Sequence, residues 1–358
     1  MSLLQQAPRF AVADAARLAR DLYGLDAAAS PLPSERDQNF LLDATGDSGT
    51  GGLGTDDRGL GTVRYVLKIA NAAEDRAMLE AQNAAMAHVA SPPTRLRRFG
   101  GTGRMAMCPR VLPTVVGETI GLAPGTAHFV RLVTYLEGVP LAEVGPRSPK
   151  LFERLGRAVG RLDAALVDFD HPAIHRDFHW DLAKAASVLD EHLPRIRDDG
   201  ARALVHRLST SALNAIGPRV AAFRRSAIHN DANDWNVLVS NPDARIPNPE
   251  ILAIIDFGDI VHSWTVADPA VAVAYAVLDA ADPLATADAI VRGYHAEYPL
   301  RDEEAASVIP LAALRLCMSA CIAAWQQQQR PDDEYLAVSQ APIRRTLPAL
   351  VSLLERRG

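Results

Sequence analysis

Two short stretches decide how this sequence reads: Ile228-His229-Asn230-Asp231-Ala232-Asn233-Asp234-Trp235-Asn236-Val237-Leu238-Val239 and Ile254-Ile255-Asp256-Phe257-Gly258-Asp259. Phosphoryl transfer from a nucleotide needs a group that orients the attacking hydroxyl and accepts its proton. It also needs hard oxygen ligands for the divalent metal that bridges the phosphates. In the pattern H-x-D-x-x-x-x-N the Asp is the base and the Asn a metal ligand, and an Asp opening a D-F-G-like turn after an apolar strand is the second ligand. Asp231, Asn236 and Asp256 fill these places. Apolar runs at 237–239 and 251–255 flank them as short strands that would hold the acidic groups on a rigid base. An Asn/Asp-rich loop alone reads as a turn; the two segments together, in the second half of the chain, favour the chemical reading.

Working outward, the island 226–260 lies among stretches with helical periodicity at 149–168, 179–193, 201–223 and 268–282, and helices continue to the end. Upstream the pattern changes. A helix is predicted over 11–23, ending before Gly24, and strands at 38–42, 63–69, 113–120 and 128–135. A second helix is predicted over 74–90, closed by Ser91-Pro92-Pro93. The Gly/Asp-rich insert 44–62 is turn or loop. The expectation is therefore an α+β chain in two parts. Residues 1–135 form an antiparallel-sheet lobe with one main helix that binds the nucleotide, and 136–358 form a larger, mostly helical lobe with the catalytic loop and acceptor site.

The 358 residues suit two domains, and 48% hydrophobic with 22% charged residues is ordinary for a globular enzyme. A net charge of −6 argues against a nucleic-acid partner. Cys108, Cys317 and Cys321 form neither a disulfide framework nor a zinc spacing. No signal-peptide pattern opens the chain, and no run approaches 18 uninterrupted apolar residues, so no membrane partner and a cytoplasmic location are expected. The oligomeric state is not legible.

Two further patterns compete for attention. His175-Arg176-Asp177 imitates a kinase H-R-D, but Leu182 stands where the Asn should be, which leaves it as a possible lining of the acceptor pocket with Trp180 and Asp181. His171, His175 and His179 have i, i+4, i+8 spacing, yet Pro172 breaks the helix a metal face would need. On the nucleotide side, Lys68 ends an apolar strand, where a cation can clamp the α/β-phosphates, and Glu80 on the following helix could pair with it. The segment 34–40, with Ser34, Arg36 and Asn39, offers donors for a phosphate-side loop. A basic acceptor would meet acidic or aromatic groups, for which Asp234, Asp259, His262, Trp180 and Asp181 are the candidates.

These residues carry a resemblance. The segments S-E-R-D-Q-N-F at 34–40, V-L-K-I at 66–69, L-E-A-Q-N at 79–83, V-R-L-V-T-Y-L-E-G at 130–138 and F-H-W-D-L at 178–182, with the two motifs above, resemble the aminoglycoside phosphotransferase/choline kinase superfamily of protein-kinase-like fold. Within it the forms IHNDANDWNVLV and IIDFGDIVHSWTVADPAVAVAYA are most similar to hydroxylysine-kinase-like proteins. The resemblance implies a two-lobed kinase that uses Mg²⁺ and ATP or GTP on a small hydroxylated acceptor. It implies Asp231 as base, Asn236 and Asp256 as metal ligands, Lys68 on the phosphates with Glu80 as its partner, and residues 133–137, including Tyr135 and Glu137, as the linker along the purine. The insert 44–62 and Asn230, where the wider superfamily often has Gly, depart from the pattern. An antibiotic phosphotransferase and a catalytically silent binding module are the alternatives.

Overall fold

Helix α1 (Val12–Tyr23) opens the fold, capped by the Asp14 carboxylate on the Ala11 N–H and stopped by Gly24 at φ +66°. Glycine takes that left-handed conformation without the Cβ clash, and its N–H closes the last turn. In this computed structural model residues 7–34, 36–44, 62–90, 108–240, 249–329 and 340–355 are described. Most of the insert 44–62, the proposed helix stop at 91–93 and Glu35 lie outside them. The described chain forms two compact units with the boundary between Glu137 and Gly138.

The first unit is an antiparallel sheet of β1 (Ala27–Leu32), β2 (Gln38–Ala44), β3 (Val63–Ile69), β4 (Val111–Leu112), β5 (Gly121–Leu122) and β6 (Phe129–Thr134), with helix α2 (Arg76–Ala90). The strand order is β1-β2-β3-β6-β4, with β5 on β6. The period-2 alternation of β2 and β3 sends Phe40, Leu42, Tyr65, Leu67 and Ile69 into one core with Ala15, Leu18 and Ala19 of α1. Asn39 on β2, Lys68 on β3 and Arg131 on β6 are in register with one another and occupy the other face. The strand expected over 113–120 is instead the turn between β4 and β5. Its Val115 and Val116 stand exposed, and Gly117 takes φ +87°.

The second unit holds β7 (Val139–Pro140), β8 (Arg225–Ile228), β9 (Val237–Val239), β10 (Ile251–Ile254) and β11 (Val261–Trp264). They pair as β10-β9-β7 and β11-β8, all antiparallel. Gly138, at φ +149°, leads into β7, and a Cβ there would sit 2.9 Å from the Val239 carbonyl oxygen. The helices are α3 (Pro149–Leu166), α4 (Ala185–His192), α5 (Asp199–Ile216), α6 (Ala267–Ala276), α7 (Pro283–Glu297), α8 (Asp302–Ala305), α9 (Val308–Gln329) and α10 (Gln340–Glu355). Helices α3 and α7 cross at backbone contact. A Cβ on Gly156 would lie 1.9 Å from the Ile290 carbonyl oxygen, and one on Gly293 2.0 Å from that of Glu153, so either alanine would force the helices apart. Helix α9 is apolar and long enough to cross a membrane by composition, but 78% of its apolar window is buried within the fold, the placement of a core helix. It packs on α4, α5, α6 and α10.

Candidate active site

The candidate catalytic loop leaves β8, makes one tight turn and returns as β9. Helix α6 supplies the anchor: Asp268, fully buried, accepts the backbone N–H groups of His229 at 2.9 Å and Asn230 at 2.5 Å. Asn230 sits at φ +66°. Asparagine is among the few side chains that tolerate this region, which accounts for its standing where the wider superfamily often uses glycine. His229 spends both ring nitrogens on the backbone. Nδ1 accepts the Asp231 N–H at 3.3 Å, so the proton is on Nε2, which donates to the Ile255 carbonyl at 3.1 Å. Burial lowers its pKa, against the charges of Asp268, Asp256 and Asp259, so the ring stays neutral and ties the catalytic loop to the strand that delivers Asp256. Phe257 packs edge-on against it at 4.9 Å.

Behind Asp268 lies Asp163 of α3, whose Oδ2 receives the Tyr294 hydroxyl at 2.5 Å and whose Oδ1 is buried with no N–H or O–H donor among the described residues, the neighbouring carboxyl being that of Asp268. Two carboxyls can share a hydrogen bond only if one holds a proton. Burial, with the charge of Asp268 second, raises the Asp163 pKa well above the carboxylate range. Asp163 is therefore the neutral donor, and Asp268 keeps its acceptors for the catalytic loop.

Three N–H donors hold the Asp231 carboxylate. Asn233 Nδ2 at 3.0 Å and Arg315 Nη2 at 3.2 Å donate to Oδ1, and Asn236 Nδ2 at 2.8 Å donates to Oδ2. The side chain retains 23% exposure. A carboxylate offers about four acceptor positions. Among the described residues Oδ1 is filled and Oδ2 has one position open. Burial, then the neighbouring Asp259, push its pKa up to about 7, opposed by Arg315 and Asn233.

Asn236 also donates Nδ2 to the Asp231 carbonyl at 3.0 Å. Its remaining polar atom is an amide oxygen, a hard donor. Asp256 takes φ +64°, a costly conformation for a side chain with a Cβ and one that clusters at functional sites. Its Oδ1 accepts the Gly258 N–H at 3.3 Å. An amide oxygen and a carboxylate suit Mg²⁺, which takes one or two protein groups and completes its shell with phosphate oxygens and water. No cluster of three or more His, Cys, Asp or Glu fit to hold a metal occurs among the described residues, in keeping with that sparse set. Arg176, from the H-R-D imitation, stacks on Phe178 at 4.0 Å and donates to the Gly258 and Ile260 carbonyls at 3.1 and 3.2 Å. It splints the turn after Asp256.

Several predicted acceptor residues are committed elsewhere. Asp234 is paired with Arg147 at 3.0 Å, and its carbonyl receives the Ala142 N–H, fastening residues 141–143 to the loop. Asp181 caps residues 182–184 through the Ala183 N–H and accepts the Ser263 hydroxyl while almost fully buried. His262 stacks on His175 at 4.4 Å, and the charges that act on it are those of His175, Asp170 and Arg225. Neither this stack nor the His175–Asp170 bond at 2.6 Å makes a three-histidine face. Asp259 does belong to the cluster, through its charge on Asp231. So does Trp180, whose carbonyl accepts Asn230 Nδ2 at 3.4 Å and Arg315 Nη1 at 2.9 Å and whose ring lies 4.5 Å from that guanidinium. The sequence reading missed Arg315, Asp268 and Tyr275, the last 6.0 Å from the same guanidinium. The signal for Arg315 was a lone charge inside the apolar run 308–323, since arginine is almost never buried unpaired.

In the first unit, the expected Lys68–Glu80 pair is replaced by a different arrangement. Glu80 lies on the exposed side of α2 and accepts Arg76 Nε at 2.9 Å. The inward position is taken by Asn83, whose Oδ1 accepts the buried Arg131 at 3.0 Å. Asn39, opposite Lys68, has a buried Oδ1 with no hydrogen-bond partner among the described residues. Ser34 and Arg36 are exposed, and the Arg36 and Asp37 turn is tied to Asn71. Tyr135 lies under the Arg64 guanidinium at 5.4 Å, and Glu137 reaches the same arginine at 3.5 Å while mostly exposed.

Residues 52–306 match the APH phosphotransferase enzyme family. The hydroxylysine kinase of Mus musculus is 29% identical over 345 residues, covering 93% of this chain and 87% of that protein. That of Danio rerio is 28% identical and covers 100% and 97%. Among solved structures, a microcompartment-associated aminopropanol kinase superposes with a TM-score of 0.64 at 18% identity, covering 95% and 96% of the two chains. A spectinomycin phosphotransferase bound to ADP and spectinomycin superposes with 0.58 at 12%, covering 97% and 98%. The chain belongs to the APH phosphotransferase enzyme family, and it is a small-molecule phosphotransferase.

Proposed function

We propose that this enzyme transfers the γ-phosphate of ATP or GTP to a hydroxyl of a hydroxylated amino acid or related amine, with hydroxylysine as the leading acceptor. The observation that carries the reading is the single open acceptor position on Asp231 Oδ2, in a carboxylate otherwise held by three N–H donors. A substrate hydroxyl there donates its proton to Oδ2 while its oxygen attacks the γ-phosphorus. The bond from that phosphorus to the bridging oxygen breaks, and the nucleoside diphosphate leaves. Asn236 and Asp256 would hold Mg²⁺, which when bound neutralises charge on the phosphate oxygens. Lys68, with Asn39 beside it, serves the nucleotide phosphates. Asp259 and the Trp180 ring, both near the base, suit an acceptor bearing an ammonium group. The full-length likeness to hydroxylysine kinases supports the choice of acceptor.

The test is Mg²⁺-dependent nucleoside-diphosphate release with ATP and with GTP, against hydroxylysine, amino alcohols and aminoglycosides. Stimulation by hydroxylysine, reduced at least about 1,000-fold by Asp231→Asn with nucleotide affinity kept, is the expected result. Preference for an aminoglycoside would move the enzyme to the antibiotic-modifying class. Nucleotide binding without turnover on any acceptor would favour a binding module.

A further inference from the structure

Arg315 is the largest fully buried side chain in the described fold, at 2% exposure, and it enters from α9, a helix with no other part in the chemistry. Its guanidinium is clamped on three sides. Nη2 donates to Asp231 Oδ1, Nη1 donates to the Trp180 carbonyl, and the Trp180 ring lies 4.5 Å from its central carbon. The same carbonyl accepts Asn230 Nδ2, so the residue before the base and the arginine beside it share one acceptor. A buried guanidinium is costly unless paired and hydrogen-bonded, and packing with an apolar residue would suffice to fill the helix interface. What the arginine adds is a second donor on Oδ1.

We infer that Arg315 is a positioning residue that decides which oxygen of Asp231 meets the acceptor, an inference that rests on the proposed kinase reaction. With Arg315 and Asn233 on Oδ1, that oxygen is saturated, and only Oδ2 is open to a hydroxyl. Without Arg315, Oδ1 also opens. The carboxylate then has two inequivalent oxygens to offer, and the loop loses the tie that joins it to α9. Reaction rate is sensitive to displacement of this size because the attacking oxygen must lie in line with the phosphorus. Nucleotide binding does not use this contact.

The experiment compares Arg315→Met, which keeps length and apolar packing, with Arg315→Lys, which restores the charge and one donor. Full-length proteins are assayed with Mg²⁺, the nucleotide and hydroxylysine, and as slow nucleotide hydrolysis without acceptor. Crystal structures are determined for parent and Arg315→Met. The expected result is a kcat about 100-fold lower in Arg315→Met with nucleotide KM within about twofold, about tenfold recovered by lysine, and Asp231 turned from its parent orientation. A kcat within about threefold of the parent, equal losses in both variants, or an Asp231 unmoved in the methionine structure would overturn the inference. If Arg315→Met does not fold, Arg315→Lys alone decides, by a kcat about tenfold below the parent or by none. Should the parent not phosphorylate hydroxylysine, the acceptor reading fails while hydrolysis and the crystal structures still test Arg315.

Discussion

The Asp231 cluster and the Lys68 face are built on different logics. Around Asp231 the carboxylate and the loop backbone are held by fixed partners of the second unit, Asp268 on the loop backbone, His229 on Ile255, and Arg315 and Asn236 on Asp231, while Asn230 Oδ1 and Arg315 Nε are buried without a hydrogen-bond partner among the described residues. Across the first unit's sheet, Asn39, Lys68 and Arg131 are aligned by strand register on one face, where Asn39 has a buried oxygen without a partner among the described residues. The first is pre-organised for chemistry, where a misplaced oxygen is costly. The second keeps acceptor capacity for a ligand. Variants of the first should therefore lower kcat, and variants of the second should raise nucleotide KM.

The sharpest way to break that contrast is Asp256→Ala. It removes a hard oxygen donor, and turnover should fall at least about 1,000-fold, with Tm slightly lower because alanine keeps a Cβ at φ +64° and loses the bond from the Gly258 N–H. Excess Mg²⁺ titrated against the variant measures whether metal affinity is what was lost. Turnover within about tenfold of the parent would remove Asp256 as a ligand. Lys68→Ala comes next, with kcat/KM down about 100-fold and most of it in nucleotide KM. A loss confined to kcat would erase the division between the two regions.

The sequence exposed the first region better than the second, for a physical reason. The residues proposed as base and metal ligands lie within one loop and the turn that follows, so their spacing is fixed by local chain geometry. Pairings between elements are not. Glu80 has the right charge on the right helix, but helical periodicity puts it on the outer side with Arg76 four residues back, while Asn83 faces the sheet. Arg315 lies 84 positions from Asp231, to which it donates, and no local pattern links them. The α+β class and most helices were legible, with ends misplaced where a breaker intervenes. The helix expected over 201–223 stops at Ile216, before Gly217-Pro218, since a proline forbids continuation. Strand β1 was missed because Ala27–Leu32 has little β propensity and carries Pro31, which is admissible on a sheet edge.

Asp163 extends the contrast to stability. An unfolded aspartate ionises near pH 4, whereas in the fold burial and Asp268 hold Asp163 neutral to much higher pH. A raised folded pKa means that the native state binds a proton the unfolded chain has released. Its stabilising contribution is complete below about pH 4 and is lost as pH rises toward the folded value. Asparagine mimics the neutral carboxyl, accepting from Tyr294 and donating to Asp268. Asp163→Asn should thus gain stability relative to the parent between pH 5 and pH 8, read as the difference in Tm across that range, with kcat within about threefold. A parallel pair of Tm curves would show that Asp163 is not the proton carrier behind the catalytic loop.

The smallest expected effect is the most telling about the first unit. Glu80→Ala breaks an exposed i,i+4 pair with Arg76, whose side chains are 48% and 47% exposed, and such pairs contribute about 0.3–0.5 kcal/mol. Tm should shift by no more than a degree or two, and kcat/KM should stay within twofold. Asn83→Ala should do more harm despite removing a neutral side chain, because it strips the buried Arg131 guanidinium of one acceptor. If Glu80→Ala instead cost about 100-fold in nucleotide KM, the glutamate would have to leave Arg76 for Lys68 when nucleotide binds. The open capacity on the Lys68 face would then belong to a rearranging pair rather than to a ready-made cradle.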